Sequence, residues 1–163
     1  MPARSLDEID RKILATLQED GRISLADLSA KVGLSPSPCL RRMRMLEEGG
    51  IIARYVAVLD QEKAGLPASV FVSIKLESQR EEALNRFTKA IARWPEVLEC
   101  YLMTGPRDYL LRVVVADLAA YDRFLKQKLT RLEGIASIES SFALEQVKYT
   151  NVLPLGIAAQ RGS

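Results

Sequence analysis

A chain of 163 residues can hold one domain or two small ones, and 48% apolar with 27% charged residues describes a folded protein rather than a disordered one. A net charge of +2 is too small to argue for a nucleic-acid partner by itself, and the absence of histidine removes the commonest general base near neutral pH and the commonest transition-metal ligand. No run approaches the roughly 18 apolar residues of a bilayer span, and the opening Met1 to Asp10 is charged, so the expectation is a cytoplasmic protein with no membrane contact. No Gly-x-Ser-x-Gly, P-loop or Gly-x-Gly-x-x-Gly pattern is present, so the chain is expected not to be an enzyme and to hold no cofactor or metal. Cys39 and Cys100, isolated in apolar surroundings, are expected to be reduced core thiols.

In chain order, Ile9, Ile13, Leu14 and Leu17 recur at helical spacing behind acidic residues, which predicts a helix over 7–19 that ends before Gly21. Ser24 followed by Asp27 has capping-box character and predicts a short helix over 25–32, stopped by Gly33. Ser35 is the expected N-cap of a third helix running to Glu48, with Pro36 at the first helical position and Pro38 in the same turn. Residues 51–59 alternate loosely and are expected to form a strand before a linker containing Gly65 and Pro67. Beyond it the pattern predicts strand 68–76, helix 81–93, strand 97–103, strand 109–115, helix 118–131 and strand 135–147.

The expected fold class is therefore α+β. An N-terminal helix-turn-helix, winged-helix-like domain (1–60) is joined by a linker (61–67) to a ferredoxin-like βαββαβ domain (68–150), followed by a C-terminal tail (151–163) whose last residues are expected to be disordered. Two helices cover one face of such a sheet and leave the other bare. The nearly continuous apolar run Tyr109 to Val115 implies burial on both faces, and so a homodimer closed face to face.

Charge distribution carries more than its sum. Residues 1–60 hold nine Lys and Arg against nine Asp and Glu, yet Ser35 to Leu46 contains Arg41, Arg42 and Arg44 and no acid. With Cys39, Leu40, Met43 and Leu46 turned inward, Ser37, Pro38, Arg41, Arg42, Arg44 and Met45 project outward or sideways. The arginine fork suits guanine O6 and N7, which makes Arg41 and Arg42 the base-contact candidates, while Arg22, Ser35, Ser37 and Arg44 suit phosphates of double-stranded DNA. The same arginines also read as a solvated helix face pairing with Glu47 and Glu48.

Three blocks resemble the bacterial and archaeal Lrp/AsnC (feast/famine) regulators: Ile9 to Leu14 with Asp20-Gly21-Arg22, Val32 to Arg42, and Gly105 to Leu111 with Ser140 to Lys148. The resemblance spans nearly the whole chain. It implies a DNA-binding transcriptional regulator, a dimer closed by its sheet faces and commonly assembled as an octamer, and DNA affinity tuned by a small molecule, usually an amino acid.

A zwitterionic effector needs donors for its carboxylate and an acceptor for its ammonium. In the Gly105-Pro106-Arg107-Asp108 loop, Gly105 permits a close backbone approach and Asp108 is the expected ammonium acceptor. By resemblance, Leu102, Tyr109, Ser141 and Phe142 wall the site, and the loop lies where dimers meet. Pro106 and Arg107 depart from the family's usual small or acidic residues here, removing one N–H and adding a cation, and Arg107 is expected to hold the effector carboxylate. The same four residues also read as a plain β-turn. Two further functions stand beside the regulator: an architectural protein that wraps DNA with little sequence preference, and a dimeric ferredoxin-like enzyme, which the lack of histidine disfavours.

Overall fold

The computed structural model describes residues 5–156, which fall into two compact units. One comprises the described residues up to Val58 together with those from Lys148 onward; the other is Leu59–Val147.

The first unit begins with α1 (Glu8–Glu19). Asp7 caps it by accepting from the Asp10 N–H at 2.8 Å, and the Asp10 side chain faces back to the Asp7 N–H, a reciprocal capping box. Helix α2 (Leu25–Val32) is capped by Ser24 and closes on Gly33, whose φ of 74° is the left-handed conformation a helix stop requires. Helix α3 (Pro36–Glu48) follows after two residues. Ile13, Leu28, Cys39 and Leu46 are fully buried among the three helices, with Leu14 and Val32 nearly so. Cys39 is thus a core thiol, and burial raises its pKa.

The segment from Lys148 returns to this unit. Gln18 donates to the Leu153 carbonyl at 3.3 Å and accepts from its N–H at 2.6 Å, Arg11 donates to the Leu155 carbonyl, and Leu155 packs against the helical core. Its final residues, expected to be disordered, lie outside the described ones.

The second unit is a four-stranded antiparallel sheet in the order β2-β3-β1-β4, built from β1 (Ala68–Leu76), β2 (Val97–Leu102), β3 (Tyr109–Val115) and β4 (Ile135–Phe142). Helices α4 (Glu81–Ile91) and α5 (Leu118–Gln127) cross over between them, giving the βαββαβ order. The period-two pattern of β1 is plain in its burial: Val70, Val72, Ile74 and Leu76 are core, whereas Ser69, Phe71, Ser73 and Lys75 turn to the opposite face. Phe87 and Ile91 of α4 and Tyr121 and Phe124 of α5 close that core, with Phe87 stacked on Tyr109 at 4.5 Å.

Several expectations fail for identifiable reasons. Residues 51–59 form no strand, because among the described residues no segment pairs with them. The helix expected to reach Arg131 ends at Gln127 and continues as a 3-10 turn at Leu129–Arg131, and β4 stops at Phe142 rather than Val147, the last bond to β1 running from the next residue, from the Ala143 N–H to the Ser69 carbonyl. Cys100 is exposed, not core, because β2 lies at the sheet edge. In β3, Tyr109, Leu111, Val113 and Val115 are buried under the helices and Val114 is buried on the opposite face, where Leu110 and Arg112 are half-buried within one chain.

Candidate DNA-reading helix and sensing loop

Ser35 occupies the N-cap position of α3 with extended backbone, yet its side chain makes no capping hydrogen bond. The reason lies in the sequence. A capping hydroxyl accepts from the second or third helical N–H; the third residue here is Pro38, which has none, and Ser35 takes no bond from Ser37. The start of α3 therefore presents the Ser35 and Ser37 side chains outward at the positive end of the helix dipole, where phosphate oxygens are stabilised. Arg22, Arg41 and Arg44 are exposed, as is Met45, and Pro38 is half-buried.

Arg42 behaves differently from its neighbours. Its Nη1 donates to Asp7 at 2.6 Å and to Asp10 at 2.8 Å, and the Asp10 side chain is fully buried. The guanidinium expected to face a base is thus turned back onto the N-terminus of α1, because a buried carboxylate without a cation beside it would be costly. The partners lie 32 and 35 residues away in sequence, and only the capping-box spacing of Asp7 and Asp10 hinted that either would face inward. Arg41, the other candidate of the pair, is exposed.

In the second unit, the loop joining β2 to β3 is a tight turn, closed by the Met103 N–H on the Asp108 carbonyl at 2.8 Å and bent at Gly105, whose φ is 108°. Asp108 is buried. It accepts from the Leu76 N–H and from Gln79 Nε2, each at 2.7 Å, and from Lys75 Nζ at 3.4 Å. Burial alone would raise its pKa, but these donors together hold the carboxyl below its ordinary value. The expected ammonium acceptor is thereby consumed as a brace between the loop and the end of β1. Tyr109, expected as a pocket wall, is a core residue under Phe87.

Arg107 leaves the turn and crosses to β4, donating to the Ser137 hydroxyl at 3.0 Å and to the Glu139 carboxylate. Ser137 and Glu139 escaped the sequence reading. Their signal was their spacing, two apart on one face of a strand, but nothing in the sequence placed that face beside the loop. The remaining expected walls are scattered. Leu102 lies on β2 and Ser141 and Phe142 on β4, at opposite edges of the sheet, three strand spacings or about 14 Å apart. Ser141 and Phe142 also face opposite sides: Phe142 packs its ring edge on Tyr121 at 5.2 Å, under the helices, and Ser141 pairs with Phe71 on the open face. One chain alone does not bring the expected effector residues together.

Comparison with known proteins follows the same division. Residues 6–53 match the winged helix-turn-helix DNA-binding family and residues 69–153 the Lrp/AsnC ligand binding domain. The Bkd operon transcriptional regulator of Pseudomonas aeruginosa is 51% identical, covering 92% of this chain and 98% of that protein. The leucine-responsive regulatory protein of Escherichia coli K12 is 42% identical, covering 93% of each. Among solved structures, a Neisseria meningitidis transcriptional regulator in complex with L-methionine superposes with a TM-score of 0.88 at 40% identity, covering 93% of this chain and 97% of that one. An AsnC family regulator from Agrobacterium tumefaciens gives the same score at 51% identity, with 92% and 97% covered. These relatives are named as regulators and not as enzymes. With both of its domains matched in order, the chain belongs to the Lrp/AsnC family of DNA-binding transcriptional regulators.

Proposed function

We propose that this regulator binds double-stranded DNA as a homodimer, each copy laying the N-terminal half of α3 in the major groove, and that an amino acid bound in the sensing unit changes its grip. The exposed Arg41 reads base edges, with Pro38 and Met45 beside it, while Arg22, Ser35, Ser37 and Arg44 hold phosphates. Arg42 sets the angle of α3 against α1 and contacts no base. The observation that carries this reading is the outward cluster at the start of α3, where serine hydroxyls, the helix dipole and exposed arginines coincide without an opposing acid.

An amino-acid effector is supported by the matched ligand binding domain and by a relative solved with L-methionine. Because Leu102 and the Ser141–Phe142 pair lie at opposite sheet edges, the effector site is completed between copies of the chain, and dimers assembling further, as an octamer, supply the second edge. Effector binding and assembly are then coupled. Two copies close through the part of the open face that carries Phe71 and Tyr101, with Glu139 on the edge strand β4 left at its rim.

The test is recovery of genomic fragments by the purified protein near physiological salt, with and without a mixture of the twenty amino acids. Enrichment of a few palindromic sites that changes with the mixture supports the proposal. Uniform recovery of all fragments replaces it with an architectural role, and no recovery overturns it.

A further inference from the structure

We propose that Glu139, not Asp108, receives the effector's ammonium group, and that Arg107 and Glu139 separate to take the two charged ends of one zwitterion; this rests on the reading of the second unit as an amino-acid sensor. An α-amino acid carries its ammonium and carboxylate on one carbon, so its receptor must place an anion and a cation side by side on one surface. Four cross-strand or loop-bridging ion pairs in this unit meet that description at first sight, and three are closed. Asp108 is buried, and both of its oxygens are occupied: Oδ2 accepts from the Leu76 N–H and Oδ1 from Gln79 and Lys75. Both oxygens of Glu96 accept from Lys128 at 2.6 Å, with the ammonium also over the Phe124 ring. Arg112 divides its guanidinium between Glu99 and Gln61, and its side chain is only 14% exposed.

The Arg107–Glu139 pair is the open one. The Glu139 side chain is 62% exposed and that of Arg107 32%. Glu139 stands opposite Ser73 and Ser137 opposite Lys75, so the pair lies across the uncovered sheet face beside the Gly105 turn. Ser137 steadies Arg107 through Nη1, while Nη2 reaches Glu139. The planar guanidinium has five N–H donors, which leaves it able to hold a carboxylate through two parallel bonds once Glu139 swings aside to the ammonium. An exposed ion pair is weak in water, so replacing both halves with the matching halves of a zwitterion costs little and keeps every charge partnered. Within the loop, Pro106 lacks an amide donor beside the very residue that brings a cation.

The experiment is titration calorimetry of the full-length protein with each of the twenty amino acids, followed, for the tightest binder, by its decarboxylated amine and its N-acetyl derivative. Wild type should prefer the intact amino acid over both by about tenfold or more. Arg107→Ala should erase the preference over the amine, and Glu139→Gln the preference over the N-acetyl derivative, with Glu139→Asp restoring part of it. Lys75→Met, which touches the buried Asp108 network without removing its carboxylate, should leave both preferences intact. If Glu139→Gln keeps the full preference over the N-acetyl derivative, the assignment of Glu139 is overturned while the amino-acid sensor stands. If wild type binds none of the twenty, the sensor reading and this assignment fall together.

Discussion

Two arginines invite comparison, because each stands in a functional motif and each is held by carboxylates. Arg42 in the helical unit bonds to a fully buried Asp10, whereas Arg107 in the sheet unit bonds to a Glu139 that is mostly in water. Burial of the anion separates their roles. An arginine that neutralises a buried carboxylate cannot leave it without exposing an uncompensated charge to a low-dielectric surrounding, so Arg42 is scaffold. An arginine paired at the surface can exchange partners with water or a ligand at small cost, so Arg107 is free to work. Motif membership alone does not distinguish the two.

The largest effect expected from this contrast is on folding. Arg42→Ala should destabilise the helical unit by about 3 kcal/mol, within the range for removing one partner of a buried pair. Arg107→Ala should cost less than about 1 kcal/mol. Denaturant unfolding of both variants measures the difference, and equal losses would break the comparison.

Asp108→Asn comes next, at roughly 2 kcal/mol near neutral pH, because a buried acceptor of three donors is replaced by a group that must aim an NH₂ at one of them. The sign with pH follows from its depressed pKa: Asp108 contributes stability above the ordinary carboxylate value near 3.8, and that contribution is lost as pH falls through its lower folded value. Wild type should therefore lose stability through that acid range, and the Asn variant should lose less, as read by thermal unfolding from pH 6 to 2.5.

On DNA, Arg41→Ala should cost about 1–3 kcal/mol on a specific site and relax one base position, while Arg44→Ala weakens all sequences alike and lowers the salt slope by about 0.9 for each phosphate left without its cation. Fluorescence anisotropy on specific and random duplexes over a salt series separates them. A loss of sequence preference in Arg44→Ala rather than Arg41→Ala would reverse the assignment.

The smallest effect sharpens the picture of the loop. Gly105→Ala meets no neighbouring atom within 4 Å, so its cost, about 1 kcal/mol, comes only from the φ of 108° that a side chain resists. Thermal unfolding should register it. A larger loss would mean the turn packs against a second copy in the assembled protein.

The helical unit was legible from sequence because its signals are local. The Ser24 cap, the Gly33 stop, Pro36 and the apolar stripe through Cys39 and Leu46 each act within a turn or two, and the elements formed where those signals stand, while Asp7, expected inside the first helix, caps it. The βαββαβ order was legible for the same reason, since period two and period 3.6 are written along the chain. What failed depended on neighbours far off in sequence. Residues 51–59 have the composition of a strand but no strand partner among the described residues, Cys100 sits on an edge that composition cannot reveal, and Asp108 and Tyr109 are held in a brace and a core within the chain. Local propensity and periodicity, which act over a few residues, thus set the elements and the family motifs. Only the tertiary structure decided which charged side chains are spent on holding the fold and which remain for a ligand, because that choice turns on burial and on pairings that span some thirty residues, as between Arg42 and Asp10 or Arg107 and Glu139.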